Sequence, residues 1–335
     1  METKSAKCFI STTHDPYLNL AIEDWIFNDL EPNQEILFLW QNDRSVIIGR
    51  NQNPHAECNL NKMQESKINL VRRHSGGGAV FQDLGNMNFT FLSSKDNYDK
   101  NKNFQIIINA LKKFNISTEK SGRNDILVDG KKVSGSAFKE KPDRAFHHGT
   151  LMMHVNLEEL QNYLTPSPKK LQAKGTTSVR SRVENLKEFN NSISYESLSN
   201  AIIQEFFTFH NSEKDIELLD HNKLAQIKEL SDYYNLLKSD SWRLGETLEF
   251  THHLEERLSW ACLDIHLNVK GNKVETAKVF SDALDTDLIH SLESSFKDIS
   301  YDKESIKKAI NNLKISHSSS KDHLEELENW LVGQI

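Results

Sequence analysis

The run Arg72-Arg73-His74-Ser75-Gly76-Gly77-Gly78-Ala79-Val80-Phe81 sets two guanidinium forks beside three successive glycines. Glycines have no side chain to fend off a ligand, and they reach backbone angles that other residues avoid. Their N–H groups can converge on phosphate or carboxylate oxygens while a neighbouring arginine supplies a bidentate fork. A triple glycine alone equally fits a flexible turn. The arginines before it and the strand-like segment after it tip the reading toward an anion site. It is not a Walker loop: the Gly-Lys-Ser/Thr ending is missing, and an apolar run follows where a helix should open.

A second run, residues 121–137, contains Ser121-Gly122-Arg123-Asn124-Asp125 and Lys131-Lys132-Val133-Ser134-Gly135-Ser136-Ala137 around an Asp129-Gly130 turn dipeptide. It reads as a hairpin. Alternation predicts Lys132, Ser134 and Ser136 on one face, with Lys131 and Val133 on the other. Lys131 suits a surface hairpin end, whereas Lys132 among small residues leaves space for a ligand. Third comes His147-His148-Gly149-Thr150-Leu151. Adjacent histidines on a strand point to opposite faces and cannot chelate one metal together. With no HExxH and no Cys/His cluster, a zinc site is not expected.

These segments need a scaffold, and 335 residues at roughly 150 per domain make about two domains. Values of 37 % hydrophobic and 27 % charged residues exclude disorder and collagen-like repeats for the chain as a whole. No stretch approaches the ~18 apolar residues of a membrane helix. Residues 1–7 are polar and hold no signal core, so a cytoplasmic protein is expected. Three scattered cysteines, Cys8, Cys58 and Cys262, point to a reducing compartment and read as plain buried thiols. The net charge of −7 argues against a general nucleic-acid binder. From residue 247 onward 16 acids face 10 bases, whereas Lys169, Lys170, Lys174, Arg180 and Arg182 fall in a stretch without acids. That basic stretch suits docking of an acidic partner.

Asp15-Pro16 followed by Leu18, Ala21, Ile22, Trp25 and Ile26 predicts a capped helix. Residues 36–40 and 46–48, split by Asn42-Asp43, read as a strand pair, and 86–91 and 126–128 as further strands. Apolar stripes predict helices at Phe104–Leu111 and Leu198–Phe206, the latter capped by Ser194. Strands and helices mix without regular βαβ alternation, so an α+β fold is expected, with residues 1–246 as the first unit. Residues 213–246 read as a polar helical connector. From 247 to 335 two alternating strands around Gly271-Asn272, then three helical stripes, make a small α+β accessory domain, with the serines at 316–320 as a loop.

Taken together, the segments above resemble lipoate–protein ligase A. The matching residues also include Asn19-Leu20-Ala21-Ile22-Glu23, Ile48-Gly49-Arg50-Asn51-Gln52-Asn53-Pro54, Asp83-x-Gly85-Asn86 and Ser178-Val-Arg-Ser-Arg-Val183 with Asn185-Leu186. The resemblance runs from about His14 to the C-terminus. It implies a mixed-sheet fold shared with biotin protein ligases, with residues 1–246 as the catalytic domain and 247–335 as the accessory domain, and a two-step reaction. Lipoate attacks the α-phosphate of ATP, with Mg²⁺, giving lipoyl-adenylate; a lysine of an acceptor domain then takes the acyl group. The family's catalytic lysine falls on Lys132, and its nucleotide site on Arg73 and on Gly78, Ala79, Val80 and Phe81. Asn86, Asn124 and Asp125 fall on nucleotide or Mg²⁺ contacts. Trp40 falls at the far end of the lipoyl slot, with Ser75, Glu23 and His148 beside it and Arg73 and Lys132 at its carboxyl end. The implied acceptors are lipoyl domains of 2-oxo acid dehydrogenase E2 subunits and the glycine-cleavage H protein, met by a monomer.

One position departs from the family pattern: Gln82 stands where many relatives have histidine, so no acid–base role can sit there. A lipoyltransferase using only preformed lipoyl-adenylate would share these motifs, whereas a non-catalytic ligand-binding homologue should show decay at Lys132 or the triple glycine, and neither has decayed. Octanoyl transfer from a carrier protein is disfavoured, because no cysteine lies in the glycine or Lys132 motifs.

Overall fold

The computed structural model describes residues 5–31, 33–122, 124–165, 183–245 and 250–335. Arg123, the basic Lys169, Lys170, Lys174, Arg180 and Arg182, and the domain junction at Thr247 lie outside the described residues.

Among the described residues, eleven strands build the first unit: β1 (Ser5–Ser11), β2 (Gln34–Trp40), β3 (Ser45–Ile48), β4 (Asn69–Arg72), β5 (Val80–Gln82), β6 (Asn86–Ser94), β7 (Glu119–Ser121), β8 (Asp125–Val128), β9 (Lys131–Glu140), β10 (Arg144–Met152) and β11 (Ile216–Leu219). Eight of them form one sheet in the order β11-β1-β2-β6-β10-β9-β8-β7, and β4-β3-β5 form a second. The large sheet is mixed, because β1 runs parallel to β2 and to β11 while the other pairs are antiparallel. Both faces are covered. Leu37, Leu39, Met87 and Phe91 pack against the helices Lys100–Lys112 and Tyr195–His210. Ile36, Phe38, Trp40 and Phe146 pack under the helices Pro16–Asp29 and Leu230–Lys238. Burial on both sides explains why β2 reads as an unbroken apolar run over Ile36–Trp40, whereas β6 alternates polar and apolar residues although it too is buried.

Asp15 caps the first helix by accepting from the Tyr17 and Leu18 N–H groups, ahead of Pro16. Ser194 and Ser197 cap each other at the Tyr195–His210 helix. Asp129 (φ 50°) and Gly130 (φ 76°) supply the two left-handed residues that a tight hairpin between β8 and β9 requires.

Four expectations need correction. Residues 36–40 and 46–48 do not pair: β2 joins the large sheet and β3 the small one. No residue from Gln41 to Arg44 has the positive φ of a two-residue hairpin. Asn19 Nδ2 instead donates to the Gln41 carbonyl and to Asn42 Oδ1, turning the chain away. Residues 213–246 are more than a helical connector, since β11 within them extends the large sheet beyond β1. Its Ile216 and Leu218 are exposed and only Leu219 is buried, so it shows no inward-facing alternation.

The C-terminal unit contains a third strand, β12 (His252–Arg257), beside β13 (Cys262–Lys270) and β14 (Lys273–Ser281). Its polar residues hid it. Gly271 and Asn272, both at positive φ, close the β13–β14 hairpin. Helices Thr286–Ser295, Lys303–Ser316 and Lys321–Val332 cover the face bearing Leu263, Ile265 and Leu267. The serines at 316–320 are not a plain loop: one helix runs through Ser316, and Ser318–Ser320 form a 3₁₀ turn. No helix among the described residues is long and apolar enough to cross a membrane.

His147 and His148 do face opposite ways. The His147 ring lies among Phe89, Phe91, Phe104 and Phe138, and neither ring nitrogen has a partner. Burial, helped by neighbouring positive charge, pushes its pKa well below the usual imidazole value. The unfolded chain therefore takes up this proton first as pH falls. Stability contributed by neutral His147 is complete above about pH 6.5 and lost below it, at up to ~1.4 kcal/mol per pH unit. A His147→Phe variant should be less acid-sensitive by that slope, read from urea unfolding at pH 7.5 and 5.5. Parallel pH dependence of the two proteins would contradict a neutral buried imidazole.

Candidate active site

Strand register assembles the site. Trp40 on β2 stands opposite Asn88 on β6, Asn88 opposite Thr150 on β10, Thr150 opposite Gly135 on β9, and Gly135 opposite Asp125 on β8. Directly paired residues share a sheet face, so this row spans five strands, roughly 19 Å at the usual strand spacing. A cavity follows it, lined by Trp40, Asn88, Thr150, Gly135 and Lys132 and roofed by Arg73, Gly77, Gly78 and Val80.

Lys132 reaches this face because β9 is bulged. The register slips between Ile126 and Leu127, pairing Ile126 with Ser134 and Leu127 with Lys132. The expected Lys132-Ser134-Ser136 face therefore does not form. Lys132 shares its face with Gly135 and Asp125, and the Ser134 and Ser136 hydroxyls are buried without partners. A Cβ added at Gly135 would sit 2.6 Å from the Lys132 Nζ, so the absent side chain is what admits the ammonium. That Nζ lies 2.8 Å from Asp125 Oδ1, a partly buried ion pair in which the oxygen makes no hydrogen bond.

Behind the row, the Pro16–Asp29 helix lowers Glu23 onto the sheet with 2 % of its surface exposed. Thr90 donates to Glu23 Oε1 at 2.6 Å, and the Trp40 indole N–H donates to Thr90 at 3.1 Å. His148 Nδ1 lies 2.9 Å from Glu23, and its Nε2 lies 2.7 Å from the Ser75 hydroxyl, which accepts from Arg73 Nε at 3.0 Å. With the imidazole proton on Nδ1, every donor in both chains points toward the carboxylate. Burial raises the Glu23 pKa, but charge and hydrogen bonding from His148, then Thr90, outweigh it and hold the group below the usual range. Ser75, His148 and Glu23 have the outline of a nucleophilic triad, but Ser75 is wholly buried behind Arg73 and cannot meet a substrate.

The glycine loop links β4 to β5 at the ends of the parallel pair β3 and β4. Arg73 does not offer a free fork here. Its Nη2 donates to the Gly76 and Gly78 carbonyls at 2.6 and 2.8 Å, and its Nη1 to the Ile47 carbonyl at 3.1 Å. Burial lowers its pKa to about 10, partly offset by Glu23. The guanidinium thus shapes the loop from beneath and leaves positive potential under it. The Gly77 N–H, expected to face an anion, donates to the Ala283 carbonyl of the C-terminal unit at 3.0 Å.

The remaining expected residues divide. Gly78, Ala79, Val80 and Asn124 line the cavity; Asn124 also donates from its side chain to the Ser136 carbonyl. Phe81 turns away and packs on Tyr163. Asn86 is buried and donates to Asn88, one layer behind. Gln82 lines the cavity, accepting from Asn42 and donating to Asn88, each at 2.8 Å; a neutral amide network occupies the position that lacks histidine. Sequence reasoning missed Asn88, Thr90 and Thr150. Only the register reveals these three. Arg72, expected as the second fork beside an anion, is likewise spent on backbone: its guanidinium donates to the Gly49, Arg50, Gln52, Trp242 and Arg243 carbonyls.

Comparison with known proteins fits this geometry. Residues 15–207 match the family model of the lipoyl protein ligase A/B catalytic domain, and residues 247–331 that of the bacterial lipoate protein ligase C-terminus. A lipoate-protein ligase A of Psychrobacter cryohalolentis is 48 % identical over 330 residues, covering 97 % of each chain. The crystal structure of P. falciparum LipL1 in complex with lipoate is 36 % identical, with a TM-score of 0.88 over 98 % of this chain and all of that one. A bi-partite lipoate protein ligase of Thermoplasma acidophilum, from a structural study of that ligase and its E2 lipoyl domain, is 25 % identical, with a TM-score of 0.64 over 73 % of this chain and 98 % of that one.

The roof depends on one close approach: a Cβ at Gly49 would lie 2.2 Å from the Gly77 carbonyl oxygen. Gly49→Ala should therefore destabilise the protein by about 1–3 kcal/mol through overpacking. Chemical denaturation checks this; an unchanged midpoint would mean that the loop does not rest on Gly49.

Proposed function

The chain belongs to the lipoyl protein ligase A/B family, and from that membership and the slot we propose that it activates lipoate with ATP and transfers the lipoyl group to a lysine of an acceptor lipoyl domain. The observation that carries the proposal is one sheet row with an indole at one end and an ammonium over a glycine at the other. Lipoate is apolar except for its carboxylate, so its ring end would lie toward Trp40 and its carboxylate toward Lys132.

ATP would enter over Gly78, Ala79 and Val80, above the positive charge of Arg73. The lipoate carboxylate then attacks the α-phosphate and pyrophosphate leaves. Lys132 would touch both oxyanions where negative charge accumulates, easing their mutual repulsion. In the second half-reaction the acceptor's lysine amine attacks the acyl carbonyl, Lys132 steadies the oxyanion, and AMP departs. Mg²⁺ accompanying ATP would screen phosphate charge. Asp125 suits it, since its buried Oδ1 lacks a hydrogen bond and its ion pair with Lys132 must loosen when anions arrive. Glu23, Ser75 and His148 orient Trp40 and Arg73 through the hydrogen-bond chains. Residues 247–335 act as an accessory domain, and the basic residues at 169–182 would attract acidic lipoyl domains of 2-oxo acid dehydrogenases and the glycine-cleavage H protein.

Protein mixed with ATP, Mg²⁺ and lipoate but no acceptor should release pyrophosphate and retain lipoyl-adenylate. Transfer from synthetic lipoyl-adenylate without pyrophosphate release would mean a transferase alone, and neither reaction would mean a binding protein. Lys132→Ala should slow adenylate formation by about 10²-fold or more; near-normal pyrophosphate release would refute the role. Trp40→Ala should open the slot to bulkier carboxylates, and unchanged substrate preference would contradict its position.

A further inference from the structure

We infer that the outer face of the C-terminal sheet is a divalent-metal site of the Zn²⁺ class, with His253, Asp264 and His266 as its ligands. Strand register builds the trio. His253 on β12 stands directly opposite His266 on β13, and Asp264 lies two residues before His266, so all three share one face. The other face of β13 carries Leu263, Ile265 and Leu267 into the core. Asp264 Oδ1 is 2.7 Å from His253 Nε2 and 2.7 Å from His266 Nε2, and all three donor atoms lie within 4.8 Å of one another.

An ion triad does not fully account for this arrangement. His266 Nε2 is buried and makes no hydrogen bond, although the carboxylate oxygen lies so near. Donors around a tetrahedral zinc lie about 3.3 Å apart, slightly wider than here. The His253 side chain is 57 % exposed, so its ring can swing outward and open the trio without moving backbone. Two imidazoles and one carboxylate favour Zn²⁺ and its neighbours over Mg²⁺ or Ca²⁺. Phe250 and Phe280 flank the His266 ring at 5.1 and 5.4 Å, which limits water around the inner ligand. Glu255, directly opposite Asp264, places a second carboxylate on the same face. A bound ion would clip the edge strand β12 to β13, across two strands whose ligands are too scattered in sequence to form a motif.

The test uses the full chain, stripped with a chelator and titrated with Zn²⁺ alone by calorimetry, then with Co²⁺ for its visible spectrum. The wild type should bind one equivalent more than His253→Ala, and its Co²⁺ d–d bands should be absent from the variant. His266→Asn, with the fold monitored by circular dichroism, should lose the same equivalent. No binding by the wild type, or equal stoichiometry and spectra in all three proteins, would overturn the site.

Discussion

The buried carboxylate of Glu23 organises the candidate active face. Removing Glu23 from water is costly unless its oxygens are satisfied, and the molecule satisfies them with two chains of donors. One runs through Thr90 to the indole of Trp40, the other through His148 and Ser75 to Arg73. The two walls that would grip opposite ends of a long acyl substrate therefore hang from one atom group. The geometry is set before any ligand arrives, which is the condition for charge stabilisation without reorganisation.

The opposite requirement governs Lys132. The cation proposed to act in the transition state must be able to exchange partners, and this one is partly buried, held by an ion pair of imperfect geometry and spread over a glycine. The glycine loop is similarly shared. Arg73 ties down its carbonyls from below, while Ala283 takes the Gly77 N–H from the accessory unit, whose Ser281 N–H also donates to the Asn51 carbonyl. A Cβ at Gly76 would lie 2.2 Å from the Ala283 oxygen. That contact makes the C-terminal unit part of the roof over the cavity where the nucleotide is proposed to bind, and any motion of the unit changes the loop's free donors.

Much of this was legible in the residues. The Asp129-Gly130 turn, the Ser194 and Asp15 caps, and the opposed faces of His147 and His148 follow from local chemistry, and so they appear where expected. Lys132, Gly78 and Trp40 do converge on one cavity. What escaped depends on pairing between distant segments. The bulge at Ile126 and Leu127 moved Lys132 off the serine face, an event no alternation rule contains. Asn88 and Thr150 gained their place only through cross-strand register. Strand β12 is almost wholly polar, and β11 is four residues long in an otherwise polar stretch, with Ile216 and Leu218 exposed. Arg73 read as a ligand fork, yet its donors close on backbone carbonyls, because a buried guanidinium must find acceptors wherever the chain supplies them.

The account stands on one slot running across the sheet from an indole to an ammonium. A crystal structure with a non-hydrolysable lipoyl-adenylate analogue tests it most directly. The dithiolane ring should lie against Trp40, with Lys132 Nζ released from Asp125 and within hydrogen-bond reach of both the acyl and phosphate oxygens. An analogue bound elsewhere, or Lys132 still paired with Asp125 and remote from the anhydride linkage, would contradict it.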